Sequence, residues 1–206
     1  MAAIIFDFDG TISDSFEYVA GYLIRASGFE GDMKEKLSEL RGLSMVAIAR
    51  RQGHSWLSLP RLFIQGRREM RKSIPKLEPF PGMPEVIRKI HAEGHELFML
   101  SSNSVIVLHK FLHRHKLHTY FLELYGGVSL FGKAPAMRKL MKDQGFEPKD
   151  CIYVGDELRD VEASKSVGIK VIAVSWGFAK TTDLENLKPT ALVHTPAELL
   201  SVIEEI

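Results

Sequence analysis

From Pro81 to Ile206 the chain switches repeatedly between two hydrophobic periods, and that alternation leaves few folds open. Val86, Ile87 and Ile90 recur at helical spacing within Met83 to Glu93, Gly94 stops the run, and Glu96 to Leu100 follows as a short apolar strand. The cycle then repeats. Ser104 to His115 reads as a helix, Phe121 to Tyr125 as a strand, Ala134 to Gln144 as a helix closed by Gly145, and Cys151 to Val154 as a strand. Arg159 to Val167 reads as a helix ended by Gly168, followed by strands at Lys170 to Val174 and Ala191 to Val193 and a helix at Pro196 to Glu205. Strands separated by helices are joined by crossovers, so they run parallel and carry helices on both faces. Ligands of such sheets bind beyond the carboxyl ends of the strands.

One more strand, Ala2 to Phe6, stands far upstream of the rest. Between Ser15 and about Pro79 the pattern is helical throughout: Phe16, Val19, Ala20, Leu23 and Ile24 make one apolar stripe. Further helices are expected at Met33 to Leu40, Ser44 to Gln52 and Ser58 to Ser73. Ile74 to Gly82 carries three prolines and reads as a linker returning to the sheet. The expected class is α/β: a Rossmann-like three-layer core with a mainly parallel sheet, residues 1–14 and 80–206, plus a small all-helical cap domain, residues 15–79, inserted after the first strand.

Composition narrows the partners. The 206 residues carry 27 basic and 26 acidic side chains, a formal charge of +1, so no overall field draws the chain to nucleic acid or to an anionic membrane. The single cysteine, Cys151, opens an apolar run and reads as a small buried side chain, which excludes an intrachain disulfide framework. No run approaches a membrane span, and the N-terminus lacks a signal-peptide pattern, so a cytoplasmic location is expected.

The chemistry concentrates at strand ends. The apolar run Ile4-Ile5-Phe6 stops in Asp7 and Asp9, with Gly10 and Thr11 supplying a turn and a hydroxyl. Two carboxylates at the end of a buried strand either gather a hard divalent cation such as magnesium or solvate the turn. Ser101, Ser102 and Asn103 follow a strand and precede a helix, where their donors suit either phosphate oxygens or helix capping. Lys133 follows Gly132 and directly precedes the helix expected from Ala134, a place where a lone lysine is ordinarily a solvated surface charge. Asp156 and Asp160, at i and i+4 after the strand ending in Val154, share one side of a helix start, or Asp156 serves as its cap.

Asp7-Phe8-Asp9-Gly10-Thr11-Ile12-Ser13-Asp14-Ser15 resembles the first motif of the haloacid dehalogenase-like hydrolase superfamily, and the later elements match its other motifs in order. The insertion resembles the helical-cap subfamily, Pro79-Phe80-Pro81-Gly82 its return to the core, and Ile172 to Phe178 the phosphoglycolate phosphatase-like members. The resemblance implies a magnesium-dependent phosphatase acting on a small phosphorylated metabolite. It makes Asp7 the nucleophile and Asp9 the general acid and base. Ser101, Ser102, Asn103 and Lys133 then bind phosphate, and Asp7, the Asp9 backbone carbonyl and Asp156 hold the metal. Asp160 would act on the metal through water or through Lys133, with Glu157 in an outer role beside it. Asp9 argues for phosphoryl transfer over dehalogenation, since a halide needs no proton.

A phosphomutase would use the same residues, and a catalytically idle binding or scaffold protein could retain the fold. Within the insertion, Arg41 between two expected helices is the candidate for a carboxylate or second phosphate of the substrate. Arg61, Arg67, Arg68, Arg71 and Lys72 read as a solvated basic helix face, and His109, His113, His115 and His118 as surface histidines without a zinc spacing. Which phosphorylated metabolite is bound, and in what oligomeric state, the sequence leaves open.

Overall fold

The computed structural model describes residues 1–43, 45–129 and 132–206. Ser44, the expected start of the third helix of the insertion, and Leu130 and Phe131, before Lys133, lie outside the described residues, as does the side chain of Arg67.

The chain opens with β1 (Ala3–Phe6) and leaves the sheet at once for four helices, α1 (Phe16–Ala26), α2 (Met33–Leu40), α3 (Met45–Arg51) and α4 (Leu59–Ser73). It then returns through α5 (Met83–Ala92), β2 (Glu96–Leu100), α6 (Val105–Arg114), β3 (Phe121–Tyr125), α7 (Lys133–Gln144) and β4 (Cys151–Gly155). It finishes with α8 (Leu158–Val167), β5 (Lys170–Val174), α9 (Thr181–Asn186), β6 (Ala191–Val193) and α10 (Glu198–Glu205). The strands form one six-stranded sheet in the order β3-β2-β1-β4-β5-β6, with every neighbouring pair parallel.

The period of two along β1 divides the core. Ile4 and Phe6 face one apolar layer with residues of α5, α6 and α10, whereas Ala3 and Ile5 face the opposite layer with residues of α7, α8 and α9. Both faces being covered, the whole strand is apolar, as a central parallel strand must be. Ile87 and Ile90 of α5 are fully buried, each contributing about 1.5–3 kcal/mol of transfer free energy. Helix α9 has no counterpart in the sequence reading, because it buries a single apolar residue, Leu184, and one residue makes no period.

The four helices after β1 have an apolar centre of their own, built from Phe16, Ala20, Leu23, Ile24, Leu40, Ile48, Ala49, Leu59 and Leu62. The segment leading back to the sheet belongs to the other side: Ile74 and Leu77 pack into the core beneath α5 and α6. Arg114, near the end of α6, fixes this return by donating Nη1 to the carbonyls of Ile74 (3.1 Å) and Leu77 (2.8 Å) and pairing Nη2 with Glu78 (2.5 Å). Of the residues in the insertion's apolar centre, Phe178, from the loop after β5, comes from outside the insertion.

Candidate active site

The sheet order puts a switch point at β1, because the chain proceeds to β2 on one side and β4 on the other. The three central strands therefore deliver Asp7, Ser101 and Asp156 at neighbouring carboxyl ends. Asp7 still follows the ladder, its N–H donating to the Val154 carbonyl (2.9 Å), so its backbone is fixed by the sheet.

Lys133 opens α7, an unfavourable place for a cation because the helix dipole is positive there. Its side chain is nevertheless buried, with Nζ 2.5 Å from Asp7 Oδ2 and bonded also to Asp160 Oδ1. The ammonium lies 5.6 Å from the ring centroid of buried Tyr153. Burial disfavours the charge, but Asp160 and Asp7 outweigh it and hold the Lys133 pKa above its usual value.

The carboxylates have different surroundings. Asp7 Oδ1 accepts the Phe8 N–H (2.7 Å). Burial raises its pKa to about 6 against the opposing pull of Lys133. Asp9 is held by neutral donors: Ser15 Oγ donates to Oδ1 (2.7 Å) and Asn103 Nδ2 to Oδ2 (2.5 Å). Burial lifts it to about 7, with the Ser15 hydrogen bond working against the rise. Asp156, fully buried, accepts from Thr11 Oγ1 (3.0 Å) and the Phe178 N–H (2.7 Å). Burial, followed by repulsion from Glu157, Asp7 and Asp160, pushes its pKa well up. Gly10 and Gly177 press against this carboxylate, and a Cβ on either would collide with it.

Asp156 is not the cap of α8. Glu157 holds the capping position, and its N–H donates to Asp160 Oδ2 (3.0 Å), which leaves Asp156 outside the helix. Arg159 grips Glu157 through Nε and Nη2, both at 2.9 Å, while Arg159 Nη1 and the Tyr153 hydroxyl are buried without a partner among the described residues. In the loop after β2, Ser101 is buried and its hydroxyl accepts the Asn103 N–H (3.0 Å); Ser102 is half-buried. Ser104 caps α6 without a side-chain bond.

Ligand oxygens of Asp7, Asp156 and Asp160 lie within 4.8 Å of one another, all three residues buried. Such a set of hard oxygens, with Asp7 and Asp156 resisting ionisation on their own, fits a divalent cation of the magnesium kind.

Other residues singled out in the sequence are not part of this carboxylate cluster. Arg41 is exposed and stacks over the Phe16 ring (4.7 Å) at the start of α1. Arg61, Arg68, Arg71 and Lys72 are exposed on α4. His109, His113 and His118 are exposed, the rings of His113 and His118 stacked at 4.3 Å, while His115 Nε2 is 3.1 Å from the Leu77 carbonyl. Cys151 is buried, its thiol pushed up to about 11 by burial and then by Asp150. Among the described residues no helix is long and apolar enough to cross a membrane. The sequence reading gave no role to Ser15, Arg159, Trp176 or Phe178. Ser15 was visible in the first motif, whereas nothing local marks Phe178 as a neighbour of Asp156.

The pattern of the family described as Haloacid dehalogenase-like hydrolase matches residues 4–174. The chain is 34% identical over 209 residues to the phosphoglycolate phosphatase of Synechococcus elongatus, covering 100% of this chain and 99% of that protein. It is 26% identical to a phosphoglycolate phosphatase of Vibrio vulnificus, over 97% of this chain and 95% of the other. A haloacid dehalogenase-like hydrolase of Streptococcus pneumoniae has a similar solved structure, with a TM-score of 0.80, 22% identity and 98% of each chain covered.

Proposed function

The chain belongs to the haloacid dehalogenase-like hydrolases and is a phosphatase of that family, and from this premise we propose a magnesium-dependent reaction on a small phosphorylated metabolite through an aspartyl-phosphate intermediate. Phosphoglycolate is the first substrate to test, on the likeness to the Synechococcus elongatus enzyme. Residues 1–14 and 80–206 form the catalytic core in this reading, and residues 15–79 the cap that selects the substrate.

The observation that carries the reading is the contrast between Asp7 and Asp9. Asp7 is ion-paired to Lys133, whereas Asp9 is held by neutral donors and raised to about 7, so near neutrality one is available as carboxylate and the other as acid. An Asp7 carboxylate oxygen attacks phosphorus in line as the bond to the leaving oxygen breaks, and the Asp9 proton goes to that oxygen. Asp9, now a carboxylate, takes a proton from water; the water oxygen attacks phosphorus, and Asp7 leaves as carboxylate.

Asp7, the Asp9 backbone carbonyl and Asp156 would hold magnesium, which when bound supplies the positive charge that lets an anionic nucleophile meet an anionic phosphate. Lys133, Ser101, Ser102 and Asn103 bind phosphoryl oxygens, and Lys133 with Asp160 keeps Asp7 aimed. Glu157 orders the start of α8 beneath the metal ligands. Arg41 is the cap residue assigned to the substrate's second anionic group.

Phosphate release from a panel of small phosphorylated metabolites, with and without magnesium, tests the reading. Magnesium-dependent release without a bisphosphate activator supports a phosphatase and excludes a phosphomutase. No release from any member would overturn it in favour of an idle binding protein.

A further inference from the structure

Phe178 stands in two places at once. Its backbone N–H donates to Asp156 Oδ2 (2.7 Å), while its side chain, 1% exposed, lies in the apolar centre of the insertion. Its ring is tilted against Phe16 at 5.6 Å, and Phe16 follows directly on Ser15, whose hydroxyl holds Asp9. The next residue, Ala179, forms a β-bridge with Gly42 of the insertion. On the other side of the loop, Trp176 Nε1 donates to the Thr11 carbonyl (3.1 Å), and Thr11 Oγ1 supplies the second hydrogen bond to Asp156 (3.0 Å).

A buried ring packed among side chains of a second unit has little freedom, and its own backbone moves with it. We propose that Phe178 is a positioning residue for Asp156: packing of its ring among the insertion's side chains fixes the N–H that orients the carboxylate. The insertion thereby tunes metal affinity without contributing a metal ligand. Displacing Phe16 or Phe178 loosens the loop and lets the Asp156 carboxylate swing, whereas loss of volume elsewhere in the insertion does not.

The inference rests on Asp156 as a metal ligand, so the experiment separates the two. Calorimetric titration of the full chain with magnesium chloride, without substrate, is run on Asp156→Asn, Phe178→Leu, Phe16→Leu and Leu62→Ala, each first checked for a cooperative unfolding transition. Leu62 lies in the same apolar centre and is the control. Asp156→Asn abolishes magnesium binding if the assigned ligand is right. Phe178→Leu and Phe16→Leu raise the magnesium dissociation constant by about tenfold, the low end of the cost of losing a group that orients a metal ligand, while Leu62→Ala leaves it unchanged. Saturating magnesium restores kcat in both phenylalanine variants, a recovery that a general folding defect would not show. Loss of binding in Asp156→Asn with unchanged affinity in both phenylalanine variants overturns the coupling alone. Equal weakening in Leu62→Ala reduces it to loss of fold, and normal binding by Asp156→Asn removes the ligand assignment on which it stands.

Discussion

Ser15 occupies the capping position of α1 but spends its hydroxyl on Asp9, 2.7 Å away, and makes no side-chain bond to its own helix. The residue that opens the insertion thus holds the carboxylate assigned to proton transfer. Its hydrogen bond favours the ionised form of Asp9 and opposes the rise that burial causes. Ser15→Ala should therefore move the Asp9 pKa above about 7. The limb of the pH–rate profile on which the acid form is lost should shift to higher pH, and dephosphorylation of the phosphoenzyme should slow near neutrality. A superimposable profile in the variant would count against Asp9 as the acid.

Asp7→Asn removes the nucleophile and should reduce turnover of an aryl phosphate to background. Asp9→Asn removes the proton donor and base and should cost about 10²- to 10⁴-fold in kcat. Each replaces a carboxylate by an amide of similar shape, so the far-ultraviolet circular dichroism should match that of the parent. Normal turnover in either would defeat the assigned mechanism.

Lys133 is the buried cation between Asp7 and Asp160. Lys133→Met leaves two buried carboxylates facing each other and should destabilise the metal-free protein by about 3–5 kcal/mol at pH 8. The deficit should shrink between pH 8 and pH 6, because Asp7, no longer opposed by Lys133, takes up a proton at higher pH than in the parent and that proton replaces the lost charge. Urea unfolding in a chelator at the two pH values measures it.

Asp7 at about 6 and Asp9 at about 7 both lie above the ordinary 3.8, so between those limits the folded chain binds more protons than the unfolded one. Stability of the metal-free protein should then fall as pH rises from 4 through 7. Magnesium competes with the proton on Asp7, so the rise in Tm on adding it should be larger at pH 8 than at pH 5.5. A magnesium effect independent of pH would contradict the assignment of the Asp7 carboxylate to the metal.

A methyl group on Gly177 would meet the Asp156 side chain from one flank, and one on Gly10 from another, where Gly10 also has a φ of +76°. Gly177→Ala should therefore weaken magnesium binding more than it lowers Tm. Gly10→Ala should lower both, adding about 1–2 kcal/mol of backbone strain to the collision. Calorimetric titration and thermal unfolding of the two variants separate these effects.

The strands were legible because each is a short apolar run closed by a turn, and five of the six begin where the periodicity places them. β1 starts one residue later, at Ala3, since strand ends are set by pairing partners as well as by side chains. Asp7, Asp9, Ser101, Lys133 and Asp156 stood out because chemistry-bearing residues interrupt an apolar pattern at strand ends or a helix start. The bond from the Asn103 amide to Asp9, a partner 94 positions away, has no trace in the sequence. The Phe178 contact was illegible for the same reason, since one phenylalanine in a loop carries no period and no charge.

By itself the sequence determined the parallel α/β sheet, the helical insertion and the residue types at the strand ends, because apolar periodicity and the covalent order of motifs are local properties. Only the tertiary structure decided which donors meet which carboxylates, that Asp156 stands before its helix and not at its cap, and that the insertion's apolar centre reaches Asp156 through Phe178. Those relations depend on which side chains share a buried volume, and packing across the sheet's carboxyl edge brings together residues with no common spacing along the chain.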